Sequence, residues 1–295
     1  MPELPDITLY VDALESRVLG ETIEEVRLAS PFLLRSVEPP LDDAIGKEVV
    51  AVRRLGKRIL LGLEDDLWLV FHLMIAGRFQ WKKRNFKLAG RHSLAAFDFA
   101  GGSLTLTEFG PKKRASLHVV QGEVGLAEHD PGGIEVLDAN LDAFKATLIE
   151  ESHTLKRCLT DPHLFSGIGN AYSDEILHRA RLSPHAKTTN LADDEIERLY
   201  QATRNTLSDW VERLRADNAG GFPDQVTASR EGMAVHGRFN EPCPDCSTPV
   251  QRLRRQDSES NYCPRCQTNG EILADSSTAQ LFKGSRSRTI EDLAS

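Results

Sequence analysis

The sequence predicts an α+β chain of two lobes, a helix with a β-sandwich followed by a helical lobe that carries a four-cysteine metal ribbon. Three observations predict this. Apolar residues recur at helical spacing directly behind the start; the pattern turns to strands from about residue 22 to 125; it returns to helical spacing before two C-x-x-C pairs. At 295 residues, 40% hydrophobic and 27% charged, the chain can bury two cores and is not a disordered one.

Each element has a local reason. Ile7, Tyr10/Val11, Leu14 and Val18 mark the first helix, Gly20 is its stop, and Pro5 fits its first turn, where a missing N–H costs nothing. KRILLGLE, LWLVFHLMIAGRF, SLAAFDFAGGSLTLTEFG and RASLHVV read as strands, the third with a Gly-Gly hairpin turn. Residues 1–126 thus form one domain, and AEHDPGGIEVLDAN (127–140) reads as a linker. LDAFKATLIEESHTLKRCLTD, NAYSDEILHRARL and DDEIERLYQATRNTLSDWVERLRAD carry helical periodicity and give a domain over 141–232. The ribbon spans 233–267, and the polar tail, 268–295, reads as disordered.

CPDC (Cys243, Cys246) and CPRC (Cys263, Cys266) flank a short polar insert. Each knuckle turns tightly enough to aim two thiolates at one ion, so the spacing reads as a single structural Zn2+ site in preference to disulfides or a redox dithiol. The acidic, proline-broken start lacks the basic and apolar regions of a signal peptide, and no run reaches membrane-span length. The expectation is a cytoplasmic protein. Cys158 stands alone and reads as a small buried apolar residue.

The formal net charge is -8, yet cations cluster in RRLGKR, RFQWKKRNFKLAGRH, PKKR and RLRR. Screening over about 8 Å makes local charge the relevant quantity. The clusters are either solvated faces or parts of one basic groove. In LFSGIGNAYSDEILHRARL, Asn170 suits the cap of a helix starting at Ala171. A glycine-rich turn into a helix is either a phosphate site or an ordinary interhelical turn.

PELPD, RRLGKRILL, FHLMIAG, SGIGNAYSDEILHRA, HGRFNEPCPDC and CPRCQ occur in that order from Pro2 to about Gln267. Together they closely resemble the formamidopyrimidine-DNA glycosylase and endonuclease VIII family of base-excision repair enzymes, nearer its formamidopyrimidine branch. The resemblance implies a helix-two-turn-helix motif in the second lobe, a zinc finger, and duplex DNA in a cleft between lobes. It also implies a chain that acts as a monomer in the cytoplasm, on the nucleoid.

The resemblance gives the opening residues chemistry. A small second residue such as Pro2 normally leads to removal of the start methionine, leaving a secondary amine as nucleophile. An α-amine titrates at about 7.7–8.0 against about 10.4 for lysine, so a useful fraction is neutral near neutrality. A helix N-terminus beside it lowers the value further. Glu3 is implied as the acid/base partner, and Lys57 as the cation on the phosphate beside the lesion. His72 and Asn170 are implied phosphate contacts, and Lys156 lies near the active site. Ile75, with Met74 beside it, takes the place of the methionine that fills the gap left by a flipped base. Phe109 in TEFG keeps the family's wedge phenylalanine, while Thr107 takes the place of its arginine. The hairpin arginine five residues before the third cysteine is replaced by Ser258, between Asp257 and Glu259, with Arg254 or Arg255 as possible substitutes.

These features point to a bifunctional glycosylase and abasic-site lyase for duplex DNA carrying oxidised bases, purines favoured. The alternatives are an endonuclease VIII-like enzyme for oxidised pyrimidines and a non-catalytic, zinc-dependent module that binds damaged DNA.

Overall fold

The helix behind the start is Leu4–Val18 (α1), and Ile7, Tyr10, Leu14 and Val18 on one of its faces are fully buried. Glu3 is its N-cap, Pro5 lies in its first turn, and the Asp6 carboxylate accepts the Glu3 N–H at 2.8 Å. The computed structural model describes residues 1–110, 112–223, 226, 230–255, 258–274 and 289–293. It divides into two compact units, Met1–Pro131 with Trp210–Ala228, and Gly132–Asp209 with Ser229–Ser295.

In the first unit the strands are Glu25–Leu28 (β1), Val49–Leu55 (β2), Arg58–Leu63 (β3), Leu67–His72 (β4), Gly77–Lys82 (β5), Ser93–Phe99 (β6), Gly102–Glu108 (β7) and Ser116–Gln121 (β8). They form two antiparallel sheets, ordered β2-β3-β4-β8 and β1-β6-β7-β5. Alternation decides the faces. Leu67, Leu69 and Phe71 of β4 enter the main core, whereas Trp68 and Val70 enter a second cluster with Leu126 of the helix Gly122–Ala127 (α2). Tyr10 meets Phe79 edge-on at 5.8 Å, Phe79 meets Phe71 at 5.1 Å and Phe71 meets Phe97 at 5.3 Å, so one aromatic chain joins α1 to both sheets. Truncating Phe71 to alanine removes the middle of that chain, at a cost of about 3–5 kcal/mol.

The second unit holds Leu141–Ile149 (α3), Leu155–Thr160 (α4), Asn170–Ala180 (α5) and the start of Asp193–Asn218 (α6). The stretch 141–161 is two helices, because the Thr154 hydroxyl caps a new start by accepting the Arg157 N–H at 3.4 Å. Phe144 packs on Phe165 at 5.0 Å and on Tyr200 at 5.4 Å. Cys158 is fully buried among these helices, and burial pushes its thiol up to about 12, as suits a packing residue. The ribbon is the hairpin Gln251–Arg255 (β9) and Ser258–Tyr262 (β10), followed by Pro264–Gln267 (α7).

One local expectation changes. The end of α6 belongs with the first unit, because Arg215 pairs with Asp12 at 2.7 Å and Phe222, just beyond the helix, packs 5.9 Å from Tyr10. Helical periodicity carries no record of which core such residues enter. Of the tail expected to be disordered, residues 275–288 and 294–295 lie outside the described residues. Glu271 bridges Thr289, and the Ile290 N–H reaches the Gly270 carbonyl at 2.9 Å. The Ile290 side chain lies over Gly270.

Candidate active site and nucleic-acid contacts

The head of α1 is enclosed. Pro2 is buried and Glu3 is 3% exposed. Burial pulls the Met1 amine below its ordinary 8.0; Arg78 and Lys57 lower it further, against Glu3 and Asp6. Burial is the leading cause, and Arg78 is a neighbour that sequence reasoning missed. Asp6 was missed as well, although the spacing Glu3-x-x-Asp6 is a capping-box signal.

Strand order explains why Lys57, His72, Ile75 and Phe109 gather at one end of the sandwich. In antiparallel sheets the end of β2, the start of β3, the end of β4, the start of β5 and the end of β7 lie at the same edge. Lys57 occupies the β2-β3 turn behind Gly56, whose φ of 58° suits the hairpin. His72 ends β4 opposite Arg58; burial, then Arg58, Lys57 and His118, holds it at about 4. It is therefore a neutral N–H donor near pH 7, not a cation.

Between β4 and β5 the chain turns tightly, with the Gly77 N–H on the Leu73 carbonyl at 2.9 Å and Met74 at a φ of 53°. A Cβ on Gly77 lies 2.2 Å from that carbonyl, so only glycine fits. The turn presents Ile75, 59% exposed, and Phe109 is 62% exposed. The Phe109 N–H reaches the Ala76 carbonyl at 3.4 Å, so the two apolar side chains project from adjoining backbone. The Phe109 ring stacks on His92 at 4.7 Å. Thr107 is a strand residue whose hydroxyl bonds the Arg78 carbonyl at 3.4 Å. Glu108 is 1% exposed and clamps the following loop, accepting the N–H groups of Arg114 at 2.9 Å and Ala115 at 3.3 Å.

In the second unit Gly169, not Asn170, is the N-cap of α5; Asn170 is the first helical residue and is exposed. A side-chain cap needs its oxygen one residue ahead of the first turn, so the asparagine is left to point outward. Lys156 is 12% exposed and is held at 2.5 Å by Asp174 and at 2.6 Å by the Asn170 carbonyl. Removing one member of so buried a pair costs about 3–5 kcal/mol, because the other is left uncompensated. The neighbouring Glu175 accepts the N–H groups of Ala234, Val235 and His236 at 2.7–2.9 Å, pinning the segment before the ribbon. Asp174 and Glu175 had no signal in the sequence beyond their place in the first turns of α5.

The four ribbon cysteines converge as their spacing requires. Cys246 Sγ lies 3.4 Å from Cys263 Sγ and 3.5 Å from Cys266 Sγ, and Cys243 lies 3.9 Å from Cys266. A tetrahedron with Zn–S bonds of about 2.3 Å has sulfur edges of about 3.8 Å, so the set fits one zinc ion. His178 Nε2 stands 3.3 Å from Cys243 Sγ, and Gln267 ties the Cys263 N–H (2.8 Å) to the Leu182 carbonyl (2.9 Å). Both support the site from outside, and neither was found in the sequence.

The basic runs are partly neutralised. Arg53 pairs with Glu123 and Arg84 with Glu24, each at 2.6 Å. On the hairpin, Glu259 lies 3.5 Å from Arg254 and 3.8 Å from Arg252. The side chains of Arg255 and Ser258 lie outside the described residues.

Comparison with known proteins matches these parts. Residues 1–114 match the formamidopyrimidine-DNA glycosylase N-terminal domain, 133–217 its H2TH domain, and 240–269 the zinc finger found in FPG and IleRS. The formamidopyrimidine-DNA glycosylase of Heliobacterium modesticaldum is 32% identical over 282 residues, covering 90% of this chain and all of the relative. Two solved structures share the fold at a TM-score of 0.80 and cover 90% of this chain and 100% of their own. One is MutM with DNA containing carbocyclic 8-oxo-G, 22% identical; the other is Lactococcus lactis Fpg with DNA containing an oxidised pyrimidine, 23% identical. No helix among the described residues is long and apolar enough to cross a membrane.

Proposed function

Because the chain belongs to the formamidopyrimidine-DNA glycosylase family, we propose that it excises oxidised bases, purines foremost, from duplex DNA and then cuts the abasic strand, with the Pro2 amine as nucleophile. The observation that carries this reading is the buried amine-bearing head of α1, set among Glu3, Lys57 and Arg78.

With Met1 removed, the free amine is that of Pro2, in the buried position. The burial, Arg78 and Lys57 that lower the Met1 amine surround the next residue as well, and there they would favour the neutral, nucleophilic form of the Pro2 amine. Its lone pair attacks C1′ of the damaged nucleotide and the C1′–N bond to the base breaks, the base leaving with the bonding pair and a proton. Glu3 protonates the ring oxygen as the sugar opens. The secondary amine yields an iminium with no N–H to lose, so its charge stays and acidifies the C2′–H; that proton passes to water, its bonding pair forms the C2′–C3′ double bond as the C3′–O bond to the 3′ phosphate breaks, and loss of the C4′ proton then expels the 5′ phosphate in the same way. Lys57 grips the phosphate beside the lesion, His72 donates to a phosphate oxygen as a neutral imidazole, and Ile75 and Phe109 fill the gap left by the flipped base. Asn170 contacts phosphate, Lys156 supports it, and the zinc ribbon serves as scaffold.

The purine preference rests on the formamidopyrimidine-branch motifs. Oxidised pyrimidines are the second reading, favoured by Thr107 in place of the arginine that reads the opposite base. The test is a panel of duplexes carrying 8-oxoguanine, formamidopyrimidine, thymine glycol, dihydrouracil or an abasic site, incubated with tag-free protein and borohydride. The expected result is faster nicking of the two purine lesions and a covalent adduct. Faster nicking of the pyrimidines reverses the preference, and binding without adduct leaves only a damage-binding module.

A further inference from the structure

Asp174 sits between two parts of the second unit that a linear reading keeps apart. It is 1% exposed, and its two oxygens serve different partners. Oδ1 takes the Lys156 ammonium of α4 at 2.5 Å, and that ammonium also holds the Asn170 carbonyl at 2.6 Å. Oδ2 takes the ribbon side: His236 Nδ1 at 2.8 Å, the Asn261 N–H at 3.0 Å and Asn261 Nδ2 at 3.3 Å. Asn261 is 1% exposed and its Oδ1 has no partner among the described residues, so its side chain is held through Asp174.

We propose that Asp174 is a positioning residue: one carboxylate locks Lys156 and the Asn170 turn to the zinc ribbon, so that the ribbon's fold sets the geometry of the phosphate-binding turn. The inference rests on the reading of Asn170 as a phosphate contact and extends it, giving the metal a part in DNA grip that does not depend on the hairpin touching DNA. A carboxylate is required, because each oxygen must accept. An asparagine presents NH2 to one side whichever way it turns, and breaks either the Lys156 contact or the ribbon contacts.

The test uses the full-length, zinc-loaded protein, with Asp174→Asn, Lys156→Met, the double variant, and His236→Phe as a cut on the ribbon side alone. Zinc per chain, affinity for an abasic-site duplex, the single-turnover nicking rate at saturating DNA, and amide hydrogen exchange over 155–173 are measured. Asp174→Asn should keep its zinc and its rate at saturation while binding about tenfold more weakly. The double variant should bind no worse than either single one, since both act through one contact. Chelating zinc from the unsubstituted protein, or His236→Phe, should speed exchange across 155–173, and chelation should add nothing further in Asp174→Asn. Additive losses of affinity, a changed rate at saturation, or exchange over 155–173 indifferent to zinc overturns the proposal. If Asp174→Asn does not fold, His236→Phe and chelation decide it. If the unsubstituted protein does not prefer the abasic duplex, the functional reading fails, and the exchange data alone decide the coupling.

Discussion

The head of α1 and the zinc hairpin make an instructive pair. At the first, the motif is intact and every charge near the amine has a defined neighbour: Glu3 and Asp6 against Lys57 and Arg78. At the second, the metal set is complete, but serine stands where the family carries a phosphate-gripping arginine, and Glu259 engages Arg254 and Arg252. Covalent chemistry needs one atom in one place, so its residues cannot be exchanged. Phosphate grip is a sum over cations, each worth a fraction of the total, and can be redistributed.

The comparison breaks most readily at the chemical end. Pro2→Gly with Glu3→Gln should abolish the borohydride adduct and slow nicking by at least about 10³-fold while leaving duplex binding measurable. An adduct of native yield in that variant shows that neither the proline ring nor the Glu3 carboxylate is required, since the terminal glycine still offers an amine. Zinc removal comes next. Extraction should unfold the ribbon and weaken DNA binding, because His178, Gln267 and Asp174 then lose their partners; unchanged far-UV spectra and affinity after verified extraction contradict this. Lys57→Ala should weaken binding on all sequences alike and lower the salt slope by about one contact, read from log K against log salt.

Smaller effects sharpen the picture. Ser258→Arg should steepen the salt dependence by up to about 0.9 in slope; no change shows that the hairpin does not reach phosphate. His72 and His118 are both held at about 4, from 6.5, by burial first. The unfolded chain takes up these protons first, so the two imidazoles contribute stability that is fully present above 6.5 and lost as pH falls from 6.5 towards 4. Urea midpoints at pH 7.5, 5.5 and 4 should show the fall, and His72→Asn with His118→Asn should flatten it.

Much of this was legible in the sequence for identifiable reasons. The period of Ile7, Tyr10, Leu14 and Val18 is a local property, and so is the C-x-x-C knuckle, so α1 and the metal set could be read directly. The TEFG stretch shows the limit. Phe109 is exposed, whereas Glu108, adjacent in sequence, turns inward to clamp a loop that closes only in three dimensions. Arg78 beside the amine, Asp174 between Lys156 and the ribbon, and Phe222 against the sandwich core are partnerships between distant segments. No spacing rule encodes them. Asn170 missed its capping role by one residue, since helix starts are set by backbone angles that side-chain preference only biases.

The central claim is that the amine of Pro2 is the atom that bonds to damaged DNA. Peptide mass spectrometry of the borohydride-reduced complex, formed by native tag-free protein on an abasic-site duplex, tests it most directly. One modified peptide is expected, beginning at Pro2 and carrying the sugar remnant on its first nitrogen. An adduct on Lys57 or any other lysine, or active protein that retains Met1 throughout, contradicts it.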